Sequence, residues 1–147
     1  MSKEPIKAKP TGDPAIRTLA MPANTNPNGD IFGGWLMSQM DIAGGSVAVA
    51  RAHGRTATVA VDAMTFHKPV FVGDVVSVYA ELTRVGRTSM QMHVQAWARR
   101  SRGELEEMVT EGTFTYVAID EHRRPRAVPA PASASGTGSQ GTGENPS

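Results

Sequence analysis

One segment restricts the fold more than any other. From 34 to about 52 the chain carries Trp35, Leu36, Met37, Met40, Ile42, Ala43, Val47, Ala48, Val49 and Ala50. Placed on a helical wheel, these apolar residues cover most of the circumference, which marks a helix buried on nearly all sides. At 1.5 Å per residue it would be roughly 28 Å long. Gly44-Gly45 at its middle costs about 1–2 kcal/mol of helix propensity, which implies that another group comes close to the backbone there. His53-Gly54 ends it, with Gly54 free to take the left-handed conformation past the last turn.

After the helix the hydrophobic period becomes two. A first strand spans 58–66 and closes at Lys68-Pro69, and a second spans 75–85 after the Gly73-Asp74 turn. In the second, Val76, Val78, Ala80 and Leu82 alternate with Ser77, Tyr79, Glu81 and Thr83. Val85-Gly86-Arg87 turns into a strand at 88–100, and Ser101-Arg102-Gly103 turns into a last strand at 108–119. Consecutive strands joined by tight turns form an antiparallel sheet. The fold class is therefore α+β, a curved antiparallel sheet wrapped around one long central helix. One helix and about five strands, of which four can be delimited, make a thin core with edges that need pairing, so the chain is expected to form dimers by edge-to-edge pairing of sheets.

The length of 147 residues suits a single domain. We divide it into a flexible N-terminal segment at 1–13, a folded domain at 14–126 and a disordered low-complexity tail at 127–147 rich in Pro, Ala, Ser, Gly and Thr. A net charge of +1 argues against a nucleic-acid binder. The chain has no cysteine, which excludes disulfides, a thiol nucleophile and Cys-ligated zinc, and fits a reducing cytoplasm. The N-terminus lacks the apolar stretch of a signal peptide, and Asp41, Gly44, Gly45 and Arg51 interrupt the only stretch that could suggest a membrane span. His53, His67, His93 and His122 show no metal spacing, and no metal site is expected. The basic runs 99–102 and 122–126 read as solvated turns.

The chemistry concentrates at 26–41. Gly33-Gly34 opens the helix, where first-turn amides have no intrahelical partner and the helix dipole adds positive potential. Such donors suit a carbonyl oxygen that becomes an oxyanion, although a glycine pair can also serve only to admit the loop into the helix. Asp41, two turns on, is flanked by Met40 and Ile42 and is nearly the only ionisable group before Arg51. A carboxylate on an apolar helix must be paired, hydrogen-bonded or used, so Asp41 is either a residue of a solvated strip or a general base or nucleophile. It lies about 10 Å along the axis from the Gly34 amide, too far for both to grip one carbonyl within one chain. A symmetric dimer would supply the base from the second copy. Asn28 and Asp30, in the loop before the helix, either orient a substrate carbonyl or water, or form Asx turns.

The run Arg17-Thr18-Leu19-Ala20-Met21-Pro22, then Asn28-Gly29-Asp30-Ile31-Phe32-Gly33-Gly34-Trp35-Leu36-Met37-Ser38-Gln39-Met40-Asp41, closely resembles the YciA-type bacterial acyl-CoA thioesterases of the hot-dog fold. The likeness continues through Ala52-His53-Gly54-Arg55, Met64-Thr65-Phe66, Lys68-Pro69-Val70, Val72-Gly73-Asp74-Val75-Val76 and Tyr116-Val117-Ala118-Ile119-Asp120. The resemblance implies hydrolysis of acyl-CoA to a free acid and CoA, with no cofactor, CoA being part of substrate and product. It also implies dimers sharing a continuous sheet, commonly assembled as a trimer of dimers, with active sites at the dimer interface. By the same resemblance the catalytic aspartate falls on Asp41, the amide donors on Gly33 and Gly34, and a loop residue near the substrate carbonyl on Asn28.

The resemblance also implies that Gly86-Arg87-Thr88-Ser89 and Phe66-His67-Lys68-Pro69 border the CoA groove. Arg87 and Lys68 are the phosphate candidates, with His53 and Arg55 in addition, while the backbone at Thr88 and Ser89 suits the pantetheine amides. Met37, Met40, Met64 and Phe66 are either acyl-channel or core residues. The sequence departs from the family pattern at His67, in place of an apolar residue, and at Asp62, in place of a glutamate. Two rivals stand beside this reading: a hot-dog dehydratase, which would need a paired histidine near the helix start, and a non-catalytic acyl-CoA-binding or regulatory module.

Overall fold

The computed structural model describes residues 8–131, so the expectations for 1–7 and 132–147 lie outside the described residues. The elements are β1 (Ile16–Leu19), a 3-10 turn (Pro22–Asn24), α1 (Gly33–Ala52), β2 (Thr56–Phe66), β3 (Val75–Val85), β4 (Ser89–Arg99) and β5 (Glu106–Ala118). The strands form one sheet in the order β1-β3-β4-β5-β2, antiparallel at every pairing. The helix packs against β2, β3, β4 and β5, which is the hot-dog arrangement.

The core lies between α1 and one face of the sheet. Met90, Met92, Val94, Ala96 and Ala98 alternate along β4, the central strand, and all five are fully buried. Val76, Val78, Phe114 and Tyr116 extend the layer to either side, while Gln91, His93 and Gln95 take the opposite face. Expectation and structure differ first of all in the sheet edge, the helix faces and the basic runs. First, β1 was not delimited from the sequence, because four residues are too few to show a period; it pairs with the first half of β3 from Ile16↔Val78 to Leu19↔Val75. Second, α1 is buried along one stripe, Leu36, Met40, Ala43, Gly44, Ala48 and Ala52, while Ile42 and Val49 are exposed at 58% and 44%. A second apolar face is thus uncovered in the single chain. Third, the basic runs are not wholly solvated: Arg100 reaches buried Asp74 at 2.6 Å, and Arg126 donates to the carbonyls of Ala52 and Ile119, each at 3.0 Å.

Order also extends past 126. Val128 N–H donates to Arg87 O at 2.8 Å, and Arg51 donates to Pro129 O at 2.5 Å. These bonds tie the outgoing chain to the helix C-terminus and the β3–β4 hairpin. At the other edge β2 is irregular, with register shifts between Thr58 and Ala60 and between Asp62 and Thr65, and with Ala63 at φ 54°. Val59 and Val61 on this edge are exposed.

Candidate active site

The loop before the helix is built on Asn26. Its side-chain Oδ1 accepts from the N–H of Asn28 at 2.9 Å and of Asp30 at 3.1 Å, and its carbonyl accepts from Gly29 N–H at 2.9 Å. The Asx turn therefore belongs to Asn26, which leaves the exposed Asn28 side chain without a partner among the described residues. Ile31 N–H donates to Val70 O at 3.0 Å and Phe32 N–H to Asn24 O at 2.9 Å, which fixes where the chain enters α1.

At that entry Phe32 stands at the N-cap position, no side chain caps the helix, and its first turn contains no acidic residue. The leading amides and the positive end of the dipole therefore keep their capacity for an incoming acceptor. The two glycines differ. A side-chain carbon at Gly33 would sit 3.2 Å from the Phe66 ring, whereas one at Gly34 would meet nothing within 4 Å. Gly33 thus allows Phe66 to pack, and Gly34 faces open space.

Asp41, half-buried on α1, has no cationic partner among the described residues. Its Oδ1 accepts from Thr58 Oγ1 at 2.7 Å and from the Tyr116 hydroxyl at 3.1 Å, and the same hydroxyl lies 3.0 Å from the Asp41 carbonyl oxygen. Oδ2 takes no hydrogen bond among the described residues. The carboxylate is therefore held by one oxygen and offers the other. Burial, then the nearby Asp41 charge and the bond to it, raise the Tyr116 hydroxyl far above its ordinary value, so Tyr116 acts as a donor at any working pH. Tyr116 is the site residue that the sequence reading missed as such, and its signal was Gly44-Gly45. A side-chain carbon at Gly44 would collide with the Tyr116 hydroxyl, and one at Gly45 would touch its ring at 3.7 Å.

The phosphate candidates separate into two groups. His53, Arg55, Arg87, Thr88 and Ser89 gather where α1 ends: Ile119 N–H donates to Arg55 O at 3.0 Å, and Ala118 N–H to Thr88 O at 2.9 Å. His53 is the left-handed helix cap at φ 55°, and Gly54, expected in that role, follows at φ 159°. Arg55 and Arg87 are exposed and take no carboxylate partner among the described residues. Lys68 lies at the opposite end, where its Nζ reaches Glu107 Oε1 at 2.5 Å. Glu107 also pairs with Arg100 at 3.0 Å. Lys68 is therefore committed to an ion network, and one chain does not bring it together with Arg87.

The two departures from the family pattern are also located. His67 Nε2 lies 2.9 Å from Glu111, which His93 approaches at 3.0 Å from β4, while Asp62 is exposed on β2 beside a register shift. Of the apolar candidates, Met40 is core, Met37 and Met64 are half-buried, and Phe66 is half exposed over Gly33. Among the described residues no cluster of His, Asp or Glu could hold a metal ion, and no helix is long and apolar enough to cross a membrane.

Comparison with known proteins identifies the family. The Thioesterase superfamily profile matches residues 28–104. An uncharacterized acyl-CoA thioester hydrolase of Zymomonas mobilis is 56% identical over 129 residues, 87% of this chain and 85% of that protein. The acyl-CoA thioester hydrolase YciA of Escherichia coli K12 is 52% identical over 123 residues, 82% of this chain and 93% of that one. The crystal structure of a hexameric thioesterase from Yersinia pestis superposes with a TM-score of 0.79 at 50% identity, covering 84% of this chain and all of that one. The chain belongs to the thioesterase superfamily, among its YciA-type acyl-CoA thioester hydrolases of hot-dog fold.

Proposed function

We propose that this chain hydrolyses acyl-CoA to a free carboxylic acid and CoA at sites shared between two copies, with Asp41 of one and the Gly33/Gly34 amides of the other acting on the same thioester. The observation that carries this reading is the Asp41 carboxylate. It lies on an apolar helix, takes no cationic partner among the described residues, is held through Oδ1 and is open at Oδ2. A binding module would have no use for a half-buried charge left in this state.

The second copy follows from distance. The acid and the Gly34 amide of one helix are about 10 Å apart, so one chain cannot polarise a carbonyl and activate its attacker together. A two-fold antiparallel pairing of the exposed β2 edges would remove the separation. It places the Thr58 end of one β2 against the Phe66 end of the other, and so Asp41, bonded to Thr58, against a neighbouring helix start beside Phe66. The same operation sets the Arg55 and Arg87 end of one copy beside that site, where cations suit the CoA phosphates. The exposed Ile42, Val59 and Val61 supply apolar area for such a contact. The hexameric Yersinia pestis relative supports assembly of these dimers in threes.

In the reaction the amides bond the thioester oxygen and stabilise its negative charge as the carbonyl is attacked. Oδ2 either takes a proton from water as the new C–O bond forms, or attacks directly to give an anhydride that water then cleaves. In both routes the C–S bond breaks, its electron pair leaves with sulfur, and the proton lost by water restores the CoA thiol. Asn28, whose exposed side chain takes no partner among the described residues, bonds the substrate carbonyl region in this reading. Thiol release measured across a series of acyl-CoA lengths tests the activity, and Asp41→Asn tests the acid. A loss of kcat of ~10²-fold or more with CoA affinity little changed is expected. Full turnover by the Asn variant would remove Asp41 from the chemistry, and no thiol release from any chain length would leave a binding module.

A further inference from the structure

The geometry points to Tyr116 as a positioning residue for hydrolysis: its hydroxyl, wedged over Gly44, clamps Asp41 Oδ1 to the helix backbone so that Oδ2 alone faces the thioester. The inference rests on the reading of Asp41 as the acid and extends it to the residue that aims it.

Three observations converge. The hydroxyl lies 3.0 Å from the Asp41 carbonyl oxygen and 3.1 Å from Oδ1, so its single proton is shared between the main chain and the side chain of one residue. That arrangement fixes the carboxylate relative to its own helix. Thr58 Oγ1, at 2.7 Å from the same Oδ1, adds a second bond from β2, and the two donors approach from different strands. Oδ1 is thereby occupied, and the reactive lone pairs belong to Oδ2.

The second observation is the space made for the ring. Tyr116 is 1% exposed, stacks on Phe114 with centroids 6.4 Å apart, and fills the place that a side chain at Gly44 would take. Two consecutive glycines weaken a helix, and here the weakening brings a phenol against the turn that carries Asp41. Packing alone would be met by Phe at position 116 with an alanine on the helix. The third observation is that burial and the adjacent carboxylate keep the hydroxyl protonated, so it serves as a permanent donor to the charged form of Asp41.

The contribution has a distinctive signature. Tyr116→Phe keeps the ring and deletes the bond. We expect kcat to fall about tenfold with KM within about twofold. Replacing Tyr116 by 3,5-difluorotyrosine, a stronger donor of nearly the same shape, should also shift kcat, by about twofold or more at unchanged KM, and this arm decides the matter should the Phe variant fail to fold. A structural residue would change Tm and leave the kcat of the folded enzyme in place. If Asp41→Asn is inactive while Tyr116→Phe keeps wild-type kcat, or difluorotyrosine leaves kcat unmoved, the clamp is refuted and the acid stands. If Asp41→Asn retains full turnover, the acid and the clamp fall together.

Discussion

Gly44 and Tyr116 are fitted to each other so tightly that the tyrosine hydroxyl occupies the position of an absent side chain on the helix. The next glycine is not under the same constraint, since a carbon at Gly45 would meet the ring at an ordinary 3.7 Å. Opposite outcomes follow for two similar substitutions. Gly44→Ala should cost about 1–2 kcal/mol net, because displacement of Tyr116 outweighs the gain in helix propensity. Gly45→Ala should keep that gain, up to about 1 kcal/mol. Urea unfolding of both proteins measures the difference. Gly44→Ala should also lower kcat, since displaced Tyr116 no longer holds Asp41.

The CoA phosphates offer a test of which cations are available. Arg87 sits on the β3–β4 hairpin without a carboxylate partner among the described residues, whereas Lys68 is bound to Glu107. Arg87→Ala should raise KM for acyl-CoA about tenfold at unchanged kcat, with a weaker dependence on salt than in the parent protein. Lys68→Ala should change KM by about twofold or less. Steady-state kinetics at two ionic strengths distinguishes these outcomes, and a larger effect at Lys68 would reverse the assignment.

The partnership that occupies Lys68 has its own pH dependence. The bond from Lys68, with help from Arg100, holds the Glu107 carboxyl below its ordinary value of 4.5. A carboxylate favoured in this way stabilises the fold at neutral pH, and the stabilisation disappears as pH falls from about that value through the lower folded one. Glu107→Gln should therefore lower Tm by about 2–4 °C at pH 7, a small effect because the pair is partly exposed. The gap should close in acid, once the pH lies below the lowered folded value. Differential scanning at both pH values measures it, and a gap that persisted in acid would assign the effect to packing.

These residues also show what a sequence can and cannot reveal. The central helix was legible within a residue or so because its apolar density is extreme, and β3 and β4 because apolar residues recur at every second position over 76–82 and 90–98. Asp41 stood out because a lone acid among Met40, Ile42 and Ala43 has no routine explanation. Gly44-Gly45 announced that something approaches, yet not that it is Tyr116, 72 positions after Gly44, because that meeting depends on how β5 lies beneath the helix. The same holds for Lys68, read as a phosphate candidate, which meets Glu107, and for Arg100, read as part of a solvated turn, which meets Asp74, because both meetings depend on how the sheet is put together. The exposed face of α1 carries the complementary lesson. The sequence described a helix covered all round, and a single chain leaves Ile42 and Val49 exposed, apolar area of the kind that the proposed pairing of two copies would use.

That last point can be tested through catalysis itself. If each site takes Asp41 from one copy and its amide donors from another, two inactive proteins should repair each other. One carries Asp41→Asn. The second carries Gly34→Val, whose β-carbon enters open space at the helix start, meeting nothing within 4 Å beyond its own helix backbone and chain neighbours. In a dimer of one copy of each, one site inherits both defects and the other inherits neither. Random assortment makes half of the dimers mixed, and half of the sites in those are intact, so activity should return to about a quarter of the wild-type value. The assay is thiol release after the two proteins are unfolded together and refolded, with each variant refolded alone as reference. An acid and amides that act within one chain would leave every site broken in any mixture, and the mixed sample would then be as inactive as its components.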